Sequence, residues 1–233
     1  MYAAQARDMS TKKTGRNEIM KIAMFGVAGR IGSRVAAEAA SRGYHVIPVV
    51  RDPDRLGTAW STKEFILGDV TNSQSVASAV KGMNAIISAV GPSADDTSRN
   101  VTIAAAAALI EGAQEAGLRR LLIVGGAGSL EIAPGLQEVD AADFPARVKP
   151  QSLAQREALA IFRSRANNLD WTYISPPRTI APGERTGRYR IGFDRMIFDA
   201  NGVSTISMED YAVAVVDELT AGAHAQKRIT VAY

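Results

Sequence analysis

The chain has 233 residues, no cysteine and a formal net charge of +3. That length suits one α/β domain with at most a small appendage, and it buries a sizeable core without staples. The missing thiols exclude a disulfide framework and a thiolate metal site, and no apolar run approaches the roughly 20 residues that span a bilayer.

Residues 1–19 hold Arg7, Lys12, Lys13 and Arg16 against Asp8 and Glu18, so most of the excess positive charge sits there. The rest of the chain is near neutral and shows no basic face interleaved with aromatics, which argues against nucleic acid as a partner. Residues 1–19 are polar, aperiodic and lack the apolar core of a secretory signal. They are read as a leader outside the fold, which is expected to occupy residues 20–233.

The fold opens with an apolar strand at residues 22–25, which turns through Gly26, Gly29 and Gly32 straight into a helix. A glycine run in that strand–helix context is a dinucleotide fingerprint. Gly26 allows the tight turn, Gly29 lets backbone approach a pyrophosphate, and Gly32 lets helix and strand pack closely. The helix from Arg30 carries Ile31, Val35 and Ala39 on one face and stops at Gly43. Residues 45–50 read as a second strand. Pro48 inside it lacks a ladder donor, so a bulge is expected there.

Residues 51–55 form a turn. A third strand is expected at 65–70, a helix at 73–81 and a fourth strand at 85–90, which ends at Gly91-Pro92. An alanine-rich helix follows at about 98–116, then a fifth strand at 120–125. That strand opens into the loop Gly125-Gly126-Ala127-Gly128-Ser129. Residues 130–149 read as irregular and 150–167 as a helix. Residues 171–175 read as a sixth strand, stopped by Pro176-Pro177. Residues 180–206 are irregular, with short strand candidates at 188–192 and 204–206. A helix at 208–219 is capped by Ser207, with Asp210 three residues on. A last strand is expected at 228–232. Strands alternating with helices predict a doubly wound, mostly parallel α/β sheet.

In such a sheet, ligands bind at the carboxyl ends of the strands. That selects the loop Gly26, Ala28, Gly29, Arg30 and Ile31, then Arg51, then Asp69 and Val70, then Ser88, Ala89, Val90 and Gly91, then Gly125 and Gly126. Helix N–H groups beyond Gly29 suit phosphates. Arg51 stands where an NAD-specific site would place an acid, so it suits a 2′-phosphate, and Arg30 can clamp the same group. NADP(H) is therefore expected over NAD(H), although Asp52 lies next door. Asp69 suits either a hydrogen bond from an adenine amino group or a turn.

The chemistry is harder to read. No tyrosine occurs between Tyr44 and Tyr173, so the helix near Pro150 carries no tyrosine–lysine pair. His45 and His224 are the two histidines, and their positions suit no metal pair. Ser129 is a weak catalytic candidate with no base beside it in sequence. A flavin acceptor fits this pattern, because hydride passes between apposed rings and water can supply the proton. Arg178, Arg185, Arg188 and Arg190, together with Pro176, form a candidate acceptor-side lobe that meets a phosphate or is merely a solvated basic loop. Tyr189, Phe193 and Phe198 either stack on a ring or pack a core.

From Met20 onward the chain resembles the atypical short-chain dehydrogenase/reductase proteins of the NAD(P)H-flavin reductase group, with NmrA-like NAD(P)-binding proteins as wider neighbours. The resemblance rests on residues 21–34, 50–53, 86–91, 122–131, 143–145, 149–150, 169–172, 175–176, 182–187 and 210–212. It implies a Rossmann fold with a small C-terminal substrate lobe at residues 176–206. It also implies a cofactor lying across the Gly26–Gly32 loop, with contacts near Arg51, Asp69 and residues 88–91. Val148 departs from the tyrosine expected before Lys149-Pro150. The expected function is hydride transfer from NADPH to a flavin, with FMN, FAD or riboflavin as substrate and not as bound cofactor. The competing class is a non-enzymatic NAD(P)-sensing binding protein of NmrA-like type. A cytoplasmic location, a monomer or homodimer, a small-molecule acceptor, and neither metal nor membrane partner complete the expectations.

Overall fold

The computed structural model describes residues 19–56, 64–91 and 98–233. Apart from Ile19, the leader lies outside the described residues, and so does Pro92. The first half alternates regularly: β1 (Lys21–Phe25), α1 (Arg30–Ser41), β2 (His45–Val50), β3 (Ile66–Leu67), α2 (Ser73–Ala79), β4 (Ala85–Ser88), α3 (Ser98–Glu115) and β5 (Arg120–Val124). The second half adds a hairpin of β6 (Glu131–Ala133) and β7 (Leu136–Gln137), then α4 (Lys149–Arg165) and β8 (Asp170–Ser175). It closes with β9 (Thr179–Ala181), β10 (Arg190–Gly192), β11 (Thr205–Ser207), α5 (Met208–Ala221) and β12 (Lys227–Ala232).

Eight strands form the main sheet in the order β10-β12-β8-β5-β4-β1-β2-β3. Every neighbour pair in it is parallel except β10 with β12. The chain leaves β1 toward one edge and returns through β4 toward the other, so the switch point lies between β1 and β4. Successive residues of a strand point to opposite faces, and both faces are covered. Ile86 and Leu121 face the layer of α2, α3 and α4, whereas Ile87 and Leu122 face that of α1 and α5. This two-sided burial explains why the central strands read as continuous apolar runs.

Three expectations need correction. Pro48 sits in regular register opposite Met24, with no bulge. The N–H of His45 points to the Met20 carbonyl on the β1 side, so residues 45, 47 and 49 face β1 and Pro48 faces the other way. There β3 pairs only with Val49 and Val50, so the missing donor costs no ladder bond. The third strand is two residues long, because the Asp69 Oδ1 accepts from the N–H and hydroxyl of Thr71 and turns the chain. Residues 130–149 are not irregular throughout: Gly135, with φ +73°, closes the β6–β7 hairpin. The short strand β9, which pairs with β11, also went unread.

Candidate functional site

Parallel strands deliver their carboxyl ends to one edge, and all the selected loops lie along it. At the switch point the fit is backbone against backbone. Gly26 has φ +81°, and a Cβ there would lie 2.6 Å from the Ala89 carbonyl. A Cβ on Gly32 would lie 2.0 Å from the Gly26 oxygen, so a side chain would part α1 from β1. The Gly29 N–H donates to the Gly26 carbonyl at 3.0 Å and the Ala89 N–H to that of Phe25 at 2.9 Å. These bonds lock the turn after β1 to the turn after β4. Gly29 caps α1 without any side-chain bond to its first turn. The N–H groups of that turn therefore open toward the edge as a ready anion cradle.

Arg30 and Arg51 are both exposed on this edge. Asp52 turns back on its own chain, its Oδ1 accepting from the Asp54 N–H at 3.1 Å. Asp69 is half-buried; the Thr71 N–H holds its carboxyl below the ordinary value against some desolvation, and the Thr71 hydroxyl and the Arg51 charge add to this. Arg51 and Asp69 are thus electrostatic neighbours. Val70 turns its side chain into the core, so only its backbone faces the edge. Ala89, Val90 and Gly91 are partly or fully open, while Ser88 is 3 % exposed.

The loop after β5 is shaped by contact with its surroundings. A Cβ on Gly125 would fall 1.9 Å from the Tyr173 ring, and one on Gly126 would fall 3.0 Å from the Gln155 Cβ. The missing side chains let α4 and β8 close beneath the loop. Tyr173 is fully buried; its hydroxyl donates to the backbone oxygen of Gln155 at 2.9 Å and to its Oε1 at 2.5 Å. Burial pushes the Tyr173 phenol well up, so it keeps its proton.

Ser129 is buried, and its Oγ accepts from the Arg228 Nη1 at 3.3 Å. A guanidinium cannot take a proton from it. Arg228 is itself anchored by the Asp194 carboxylate. The two histidines lie at the opposite, amino-terminal edge. His45 opens β2 and pairs with Glu64 at 2.8 Å, and the His224 Nδ1 lies 2.7 Å from the Glu218 Oε2.

The basic loop resolves into structural arginines and one open one. Arg178 forks onto Glu138 at 2.7 Å through both Nε and Nη2 and lies over the Phe198 ring. Arg185 forks onto Glu38 of α1 at 2.8 Å. Arg190 donates to the backbone oxygens of Phe198 and Tyr233. Arg185 is thus paired with Glu38, while its side chain stays more than half exposed. Arg188 remains exposed; Pro176 is buried beside β8. Tyr189 donates to Asp217 at 2.5 Å, and Phe193 sets its edge against His224.

Asp210 organises the loop that holds Arg185 and Arg188. It is fully buried and accepts from the Thr186 N–H and hydroxyl, the Gly187 N–H and the Tyr233 hydroxyl, at 2.6 to 2.8 Å. Sequence reading placed Asp210 only in a helix cap. The Ser207 Oγ does accept from its N–H at 2.9 Å, but its carboxylate serves the loop instead. A cavity of about 880 Å³ lies between this loop, β11 and Tyr233. No residue of the glycine turn lines it, and the strand-end rule locates the nucleotide at the turn, not here.

A glycine cradle at a switch point, with an uncapped helix turn behind it, defines a dinucleotide-binding protein of the doubly wound class, and the residues fit such a group. The chain belongs to the NAD(P)H-binding family, whose model matches residues 26–220. It is 34 % identical to the Bacillus subtilis protein YwnB over 91 % of this chain and 98 % of that one. Among solved structures, a protein from Bacteroides thetaiotaomicron described as a "putative epimerase" is 39 % identical, with a TM-score of 0.84 over 93 % of this chain and 98 % of its own. One from Streptococcus pneumoniae, described as a "putative NADH-flavin reductase", is 33 % identical with a TM-score of 0.79 over 91 % and 99 %. One from Burkholderia pseudomallei, described as a "putative exported protein", is 44 % identical with a TM-score of 0.82 over 92 % and 100 %. Among the described residues no helix is long and apolar enough to cross a membrane.

Proposed function

We propose that this member of the family is a reductase that takes hydride from NADPH and delivers it to a flavin or flavin-like acceptor, with FMN, FAD or riboflavin as diffusible substrate. The observation that carries the reading is the make-up of the strand-end edge. It joins a phosphate cradle and the exposed Arg30 and Arg51 to an interior in which Ser129 faces a guanidinium and both histidines sit at the opposite edge. The Streptococcus relative described as a flavin reductase supports it.

When bound, the dinucleotide supplies the hydride. The N–H groups of the first turn of α1 would hold its pyrophosphate, with Arg30 and Arg51 meeting the 2′-phosphate. Asp69 stays ionised and can accept from an amino group. The backbone of residues 89–91 and 125–126 forms the floor. A cytoplasmic location is part of this reading; the Burkholderia relative described as exported is the contrary indication. The test is NADPH oxidation with and without each flavin. Turnover dependent on flavin supports the proposal; tight NADPH binding with no turnover against flavins or quinones overturns it in favour of a nucleotide-sensing binding protein.

A further inference from the structure

A cavity of about 20 Å³ opens between β4, β5, α3 and α4. That is room for one water molecule. Its walls are largely apolar, with Ala105, Leu109 and Ile123 among them, yet Ser88, Thr102 and Gln155 also line it. Each of these three polar residues is more than nine-tenths buried. Ser88 ends β4 and lines the cavity from that strand end. The Gln155 Oε1 is taken by the Tyr173 hydroxyl, which leaves the amide NH₂ as the free end of that side chain.

Two buried polar groups facing one small cavity need a polar occupant, since an unsatisfied group in an apolar wall is costly. A dry cavity of this size is normally lined by hydrocarbon alone. The position also matters. Ser88 and Val124 are the last residues of β4 and β5, so the cavity lies directly under the strand-end edge, against the Gly126 loop.

We propose that Ser88 and Gln155 bind a single water in this cavity, and that this water is the proton carrier of the site. The Gln155 NH₂ donates to the water oxygen, and the Ser88 hydroxyl exchanges a hydrogen bond with it. The water gives one proton to the acceptor as the acceptor gains hydride, and the hydroxide left behind is reprotonated from solvent. Ser88 and Gln155 are positioning residues, because they act through the water. This role rests on the reductase reading, whereas the water site itself does not.

The test joins crystallography to kinetics. A high-resolution crystal structure of the whole chain is expected to show an ordered water within hydrogen-bond distance of both the Ser88 Oγ and the Gln155 Nε2. Gln155→Met should expel it and lower flavin-dependent kcat at least tenfold. NADPH affinity should stay within about twofold, and the solvent deuterium isotope effect should change. Ser88→Ala, the smaller change, should loosen the water and lower kcat in the same direction should the first variant fold poorly. A dry cavity in a protein that reduces flavins overturns the inference and leaves the reductase reading intact. Loss of the water with kcat and isotope effect unchanged overturns the proton role. An ordered water in a protein that turns over no acceptor upholds the site, ends the proton role and refutes the reductase reading.

Discussion

At the scale of single residues, the glycines of the first turn are fixed by distances that leave no choice. Gly32→Ala would push a methyl into the Gly26 carbonyl, 2.0 Å away. Overpacking of this kind costs about 1–3 kcal/mol, so the variant should melt at a lower temperature and bind NADPH more weakly. A wild-type melting curve with wild-type affinity would rule out the close approach. Arg51 makes a different prediction. A charge-assisted bond to a phosphate contributes about 1.5–3 kcal/mol, so Arg51→Asp should shift the NADPH/NADH preference toward NADH by roughly tenfold or more. An unchanged ratio of the two affinities would count against a 2′-phosphate contact. These glycines were legible in sequence because the strand, turn and helix that give them meaning are local. Gln155 was not, since its neighbours Ser88 and Tyr173 are brought to it only by folding.

At the scale of elements, the loop between β9 and β10 is held by α5 and α1. Burial pushes the Asp210 carboxyl up, but the bonds from Thr186, Gly187 and Tyr233 outweigh it and hold the group below its ordinary value. A lowered folded value means that this stabilisation is complete above the unfolded value, roughly 4, and is lost as pH falls through the folded one. Asp210→Asn keeps the shape but turns part of an acceptor into a donor facing other donors. It should cost about 1–3 kcal/mol at neutral pH, and the difference from wild type should shrink below roughly pH 4. Denaturant titrations at pH 7 and pH 3 check this; a difference that does not vary with pH would mean the carboxylate charge is not what holds the loop. Glu38 acts beside it. The Arg185 bonds are the main cause of its lowered value, with burial opposing and Arg42 assisting. That clasp explains why a run of arginines, which in sequence looked like a phosphate trap, is mostly a set of braces: the partner acids lie 40 to 147 positions away.

At the scale of the whole molecule, the cofactor should act as a stabiliser, because the cradle exists only in the folded chain. NADPH at a hundredfold excess over its Kd should add about 2.7 kcal/mol. For a domain of this size that corresponds to a rise in melting temperature of roughly 5–10 °C. A thermal-shift titration that shows no such rise would argue that the turn does not bind the nucleotide. The parallel pairing and the two-sided core follow the alternation of apolar runs and helices, so the architecture was largely readable, whereas the order of the strands came from the fold. The failures sit where long-range pairing overrides local signals. Pro48 looked disruptive until the sheet showed that its missing donor faces the side where β3 barely pairs, and β9 became a strand only by meeting β11.

The sequence by itself determined the succession of the main helices and parallel strands, the glycine turn and the loops that meet at the strand ends. Those depend on local propensity, on periodicity, and on the rule that parallel strands end on one edge. Only the tertiary structure decided which charges are free. It committed Arg178, Arg185 and Arg190 to bracing, left Arg30, Arg51 and Arg188 open, and placed Ser88 and Gln155 around one cavity. The physical reason is that a side chain's availability is set by its neighbours in space. At this site those neighbours come from β4, β8 and α4, which are far apart along the chain.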